Sequence, residues 1–331
     1  MYEEFYNLQT KPFGLNPDPH FFFGSKEHKR VLAYMRYGIK QAEGFIVVTG
    51  DVGTGKTTLV STLLEELESN KNVIASQLVT TQLEPDDLLR MVASSFKIPY
   101  EGFSKAMLLE KLEIFLRKKA KEKKRVLLIV DEVQNLLPHS LEELRMLSNY
   151  QDGARPLLQS FLLGQAEFRD TVRNENLEQF RQRIIASYHL GPLGVDETRG
   201  YIEHRLRVAG WHDDPVLTDD AYQGIYKFTC GVPRRINTLC DRLFLYSYLE
   251  ELHTINNETV NNVITELEEE LPYTDKGCSQ EDDKGKEYAI DNEVIDKSLE
   301  KRICDIEDRL SGLESVAENA RGLMSFFLKK K

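Results

Sequence analysis

Two short stretches carry residues whose types and spacing suit phosphate chemistry. Gly50-Asp51-Val52-Gly53-Thr54-Gly55-Lys56-Thr57, continued by Thr58, fits the pattern G-x-x-x-x-G-K-[ST]. Glycines let backbone N–H groups curl around phosphate oxygens, and a helix opening at the loop adds a favourable dipole. Lys56 would reach the β- and γ-phosphates of a nucleoside triphosphate, and the Thr57 hydroxyl would bind Mg²⁺. About 75 residues on, the apolar run Val126-Leu127-Leu128-Ile129-Val130 ends in Asp131-Glu132. There Asp131 would hold Mg²⁺, through water, and Glu132 would orient and polarise the attacking water. Either acid alone means little. Together the two stretches imply hydrolysis of a triphosphate.

These side chains need a scaffold, and the flanking sequence supplies one. Phe45 to Thr49 is short, apolar and β-rich, like a buried strand. From Thr58 to Ser69, Leu59, Leu63, Leu64 and Leu67 recur at helical spacing. Val73–Val79 reads as a second strand. Helices are expected over Asp86–Phe96, behind Pro85, and over Met107–Lys121. A third apolar strand, Leu157–Leu163, ends in Gly164-Gln165, where Gln165 either contacts the γ-phosphate or the water, or closes a turn. Arg181 and Arg183 end a helix just before a further strand. They are either solvated or an arginine finger for a neighbouring subunit's γ-phosphate, with Arg183 ahead of Arg181. From Asp196 the pattern is all helical, over 196–209, 218–228, 233–250 and 257–270. Gly231-Val232-Pro233 stops one helix and starts the next, placing Arg234 in a first turn against the dipole. Reaching back over the nucleotide would explain that cation.

The outer segments are less specific. Residues 1–24 are dense in Phe, Tyr and Pro, which predicts an extended arm without regular helix. Its aromatics are packing anchors or a wall for adenine. Ser25 reads as the N-cap of a helix through Lys40. The run Lys118, Lys119, Lys121, Lys123, Lys124, Arg125 is either a solvated helix end or a contact for nucleic acid or anionic lipid. A net charge of −11 over 331 residues speaks against a general nucleic-acid binder. Cys230, Cys240, Cys278 and Cys304 form no paired pattern, so reduced thiols are expected. No apolar run approaches 18 residues, so no membrane span is expected. Beyond a polar linker, Leu299, Ile303, Ile306, Leu310, Leu313, Ala317, Ala320, Met324 and Phe327 alternate spacings of four and three. This is the seam of a coiled coil, or of one amphipathic helix folded onto the core. The end, Met324 to Lys331, pairs apolar residues with lysines and suits peripheral contact with a membrane surface.

With these residues in view, the sequence resembles the AAA+ ATPases of the general secretion pathway protein A type. The likeness is strongest to the subfamily found with exosortase (PEP-CTERM) and exopolysaccharide loci. It is carried by Tyr6-Asn7-Leu8, Lys11-Pro12-Phe13, Asn16-Pro17-Asp18-Pro19, Gly50 to Thr58, Val130 to Leu136, Leu162 to Gln165, Tyr188-His189-Leu190, Gly231 to Asn237, and Leu239 to Arg242. The resemblance implies an α/β P-loop core, a parallel sheet between helices, with an all-helical lid and a coiled-coil-like tail. Its implied ranges are 1–194 for the core with its arm, 195–271 for the lid, 272–290 for a flexible linker and 291–331 for the tail. ATP and Mg²⁺ would be its cofactors. Gln165 would be the first sensor, Arg183 the finger and Arg234 the second sensor. The implied protein is a cytoplasmic homo-oligomeric ring, with a hexamer as the candidate size and peripheral contact at the inner membrane. It would move or regulate a protein partner in envelope exopolysaccharide or protein export or sorting. Proteins of that type continue into a transmembrane segment and a periplasmic peptidoglycan-binding part. Neither is seen here, which favours the exosortase-associated relatives. Two alternatives remain: a DNA-associated AAA+ regulator of the transposition target-selector kind, motivated by the basic run and the lid arginines, and a non-hydrolysing scaffold held by its coiled coil.

Overall fold

The computed structural model describes residues 1–41, 44–79 and 83–270. The expectations for 272–290 and 291–331 lie outside the described residues.

Five strands build one parallel sheet: β1 Phe45–Gly50, β2 Val73–Val79, β3 Arg125–Asp131, β4 Leu158–Gly164 and β5 Ile184–Leu190. Their spatial order is β2-β3-β4-β1-β5, parallel throughout. Every residue of β1 and β4 is buried, as is β3 beyond Arg125. That burial on both faces is why these strands read as unbroken apolar runs. The edge strands β2 and β5 are only partly buried.

Helices cover the sheet: α1 Lys26–Gln41, α2 Lys56–Glu68, α3 Pro85–Ser95, α4 Lys105–Lys121, α5 Pro138–Ser148, α6 Phe168–Arg173 and α7 Glu178–Arg181. The Ser25 hydroxyl caps α1 by accepting the His28 N–H at 3.3 Å, as expected of that serine. α5 and α6 have no counterpart in the sequence reading. In α5, Leu141, Leu144 and Leu147 bury one face behind Pro138 at the first turn. A second group follows: α8 Val195–Val208, α9 Asp219–Thr229, α10 Pro233–Leu249 and α11 Asn257–Glu270. These match the four expected lid helices to within a residue or two at each end.

The arm corrects one expectation. Residues Tyr2–Phe5 do form a helical turn, because the first proline comes only at Pro12. Tyr2, Tyr6, Leu8 and Phe13 are buried in the core of the lid helices, rather than in the sheet's cores. Phe13 packs on Phe244 with ring centroids 5.5 Å apart. Both oxygens of Asp241 are taken by the arm, from Tyr2 Oη and from Lys11 Nζ, each at 2.8 Å. Arg205 Nε donates to the Pro12 carbonyl at 2.6 Å. The turn Pro19–Phe21 then meets both α2 and α8. The arm is thus a tie between the lid and the helix that follows the phosphate loop. Cys240 is free and buried.

Replacing Phe13 with Ala should cost about 3–5 kcal/mol, the range for emptying a buried aromatic site. Urea unfolding of wild type and Phe13→Ala measures this. A loss under about 1 kcal/mol would mean the arm does not anchor the lid.

Candidate active site

The sheet order explains how distant sequence positions meet. β3, β4 and β1 are adjacent and parallel, so Asp131, Gly164 and Gly50 lie along one C-terminal edge, where ligands of open α/β sheets bind. The loop leaves that edge at Gly50 and turns into α2 at Lys56. Gly53 and Gly55 adopt φ of 87° and 98°. A Cβ at Gly53 would lie 2.5 Å from Arg234 Cβ. One at Gly55 would lie 3.0 Å from His28 Nε2. These positions need glycine for conformation and for space alike.

Lys56 is 7% exposed, and its ammonium donates to the carbonyls of Gly50 at 2.6 Å and Asp51 at 2.9 Å. Burial pushes its pKa down, while Glu132, Asp131 and Asp51 pull it back up. Asp131 is 3% exposed; Thr57 Oγ1 donates to its Oδ2 at 3.3 Å, and the Glu132 N–H to its Oδ1 at 3.0 Å. Burial pushes the Asp131 carboxyl up, and the Glu132 charge adds to this. The two hydrogen bonds and Lys56 act in the opposite sense. The Thr57 hydroxyl and the Asp131 carboxylate, placed together from positions 74 apart, are the oxygen donors a hard cation would need.

Glu132 takes a left-handed backbone, φ 54° and ψ 40°. Its carboxylate is gripped by two amides. Gln134 Nε2 and Gln165 Nε2 both donate to Glu132 Oε2, the latter at 3.5 Å. Gln134 Oε1 accepts the backbone N–H of Gln165 at 3.0 Å, which closes a ring through three residues. The structure therefore brings Gln165 to Glu132. Gln134, inside the same short motif, was missed. Its sequence signals were a position two residues after Glu132 and a place in the Val130–Leu136 stretch that carries the resemblance.

Arg234, the second residue of α10, donates its backbone N–H to the Gly53 carbonyl at 3.1 Å. The lid is thereby seated on the phosphate loop, and the exposed Arg234 side chain starts from that contact. Arg183 and Arg181 lie elsewhere. Arg183 immediately precedes β5, whose Ile184 pairs with Phe45 and whose Leu190 pairs with Gly50. At roughly 3.3 Å per residue, about 20 Å of strand separates Arg183 from the loop of its own chain. The Arg183 guanidinium donates to Asn149 Oδ1, and that of Arg181 to the carbonyls of Val172 and Arg173.

His28 is a second residue that the sequence reading passed over. It is buried beneath the loop, with Nε2 3.2 Å from the Thr54 carbonyl and Nδ1 2.7 Å from Ser25 Oγ. A carbonyl only accepts, so Nε2 carries the proton and the neutral Nδ1 accepts from Ser25. Of the arm aromatics, Phe22 packs edge-on against His28 at 5.8 Å.

Burial holds the His28 pKa below its ordinary 6.5. The folded state therefore favours the neutral ring, and this stabilisation is present above pH 6.5 and lost as pH falls below it. Thermal unfolding followed between pH 7.5 and 5.5 should show a smaller pH-dependent loss in His28→Gln than in wild type. Equal losses would mean His28 is not held neutral under the loop.

Comparison with known proteins agrees with this geometry. Residues 39–172 match the family model for an AAA domain. The chain is similar to General secretion pathway protein A of Aeromonas hydrophila, 36% identical over 256 residues, which are 77% of this chain and 46% of that protein. It thus spans about half the length of that relative. Two solved structures share the fold. CDC6P of Pyrobaculum aerophilum is 16% identical, with a TM-score of 0.58 over 75% of this chain and 70% of that one. The Aeropyrum pernix ORC1 protein in complex with DNA is 17% identical, with a TM-score of 0.57 over 78% and 69%. Sheet order, phosphate loop and the match to an AAA domain together give this chain the AAA+ P-loop fold.

Proposed function

We propose that the chain binds ATP with Mg²⁺ at residues 50–58 and hydrolyses it to drive or regulate a protein partner in envelope exopolysaccharide or protein export. The observation carrying the chemical part is the meeting of Lys56, Thr57, Asp131 and Glu132 at one sheet edge. Phosphate oxygens would take over the hydrogen bonds that Lys56 now gives to loop carbonyls. Thr57 and Asp131 fit a magnesium ion, which uses few protein oxygens and draws the rest of its shell from water and phosphates. When bound, Mg²⁺ would neutralise charge developing on the phosphates.

The remaining roles follow from position. Glu132, its carboxylate aimed by Gln134 and Gln165, accepts the proton of the attacking water. Gln165 joins that carboxylate to the γ-phosphate position. Arg234 reports on the nucleotide from the lid. Arg183, at the far edge of the sheet, serves the site of a neighbouring subunit in a homo-oligomeric ring, for which a hexamer is the candidate size.

The export reading is supported by the 36% identity to General secretion pathway protein A. Among the described residues no helix is long and apolar enough to cross a membrane, and the proposed location is the cytoplasm, with peripheral contact at the inner membrane. The exosortase-associated branch is part of this proposal, resting on the sequence resemblance. The likeness to a DNA-bound ORC1 protein extends to the fold alone, and the net charge of −11 runs against the DNA-regulator alternative.

Completion of the site between subunits has a direct test. The ATPase rate per subunit should rise with protein concentration and fall by about 10³-fold in Arg183→Ala, the lower end for an arginine finger. Mixing Arg183→Ala with Lys56→Ala should restore part of the rate, because one subunit then supplies an intact loop and the other an intact finger. A rate independent of concentration and of Arg183, from a monomer by light scattering, would refute the finger.

A further inference from the structure

At the opposite, N-terminal edge of the sheet lies a cavity of about 610 Å³ that the ATPase site does not use. It is lined by Lys40, Lys123, Arg125 and Arg155, by Asn70 and Asn72, and by Ile39 and Val73. Four cations and two amides face one space, and the lining holds no carboxylate among the described residues. In a chain with more acidic than basic residues, such a concentration calls for an explanation.

Of the cations on the neighbouring helix and turn, Lys118 and Lys121 stand on the exposed face of α4, and three others are paired. On the same helix and turn, Lys119 and Lys124 pair with Glu122 at 3.0 and 3.4 Å, and Arg117 pairs with Glu113 at 2.8 Å. Among the described residues, none of Lys40, Lys123, Arg125 and Arg155 forms an ion pair. Arg125 is partly buried, and its guanidinium is anchored on the Ile39 carbonyl, while its backbone N–H is bonded to the Asn72 carbonyl at 2.8 Å. Burial, and then the charge of Arg155, disfavour its protonated form. Lys123 enters the cavity rim from a left-handed turn, φ 57°, just beyond α4. Asn70 Oδ1 accepts the Asn72 N–H at 3.1 Å, which leaves the Asn70 side-chain N–H groups as donors.

We propose that this cavity is a second anion site, taking a small, multiply charged phosphate group such as a di- or triphosphate. The volume falls in the range of small-molecule sites and suits a compact anion. Guanidinium and ammonium groups with amide donors are the chemistry of phosphate recognition. Its walls are the end of α1, the segment between α2 and β2, the turn between α4 and β3, and the short antiparallel pair Gln151–Asp152 and Arg155–Pro156 before β4, so a bound anion ties together four connections. The site is independent of the hydrolysis reading.

The probe is inorganic tripolyphosphate, titrated calorimetrically into the full chain at low salt. The titration uses Lys56→Ala, so that the phosphate loop is disabled. We expect saturable binding that weakens at least ~10-fold in Lys123→Glu/Arg155→Glu, with the neutral pair Lys40→Gln/Lys123→Gln weakened in the same direction. The control Lys118→Glu/Lys121→Glu makes the same charge change on the exposed face of α4 and should leave affinity unchanged. No binding to Lys56→Ala, or equal weakening by control and pocket variants, would overturn the proposal. A single-stranded oligonucleotide that displaces tripolyphosphate at equal phosphate concentration would also overturn it, by assigning the cavity to nucleic acid.

Discussion

The Thr57 hydroxyl donating to Asp131 is the contact on which the site depends. It exists because β3 and β1 flank β4 in the sheet and all three run the same way. With one strand between them, the glycine loop and the acidic strand end are about 10 Å apart along the sheet edge. The burial of β1, β3 and β4 on both faces suits them to the middle of the sheet. The apolar runs that hold the fold together are thus the same runs that aim the chemistry, with β3 ending in Asp131, β1 leading into the glycine loop and β4 into Gln165.

Around that contact the chain stacks supports of different reach. Gln134 and Gln165 hold the carboxylate of Glu132 from within the sheet edge. His28 braces the loop from α1. Arg234 seats the lid on Gly53, and the arm ties the lid to α2. Lid position and loop conformation are therefore linked through backbone contacts. A change in what the loop holds would be felt in α10 without a long relay.

Much of this was legible in the sequence. The phosphate loop, Asp131-Glu132 and the buried strands announced themselves because glycine, lysine and unbroken apolar runs have few other uses in that order. Gln165 was visible as a polar residue at the end of a strand. Gln134 and His28 were not, because an isolated glutamine or histidine on a helical turn has many ordinary uses. Only tertiary contact sets theirs apart. α5 was hidden because its apolar face follows directly on Leu136-Leu137, where the helical spacing merges with a turn. The arm's short helix was missed because proline density was averaged over 24 residues, while the prolines themselves begin at Pro12.

The most direct test of the account is to measure ATP binding and ATP hydrolysis side by side for wild type and Glu132→Gln. Glutamine keeps the shape and the hydrogen bonding of the side chain while removing its basicity. The account predicts affinity within a few-fold of wild type and a hydrolysis rate reduced by at least ~10². An unchanged rate in Glu132→Gln would contradict the assignment of this carboxylate, and with it the mechanism built on the edge formed by β3, β4 and β1.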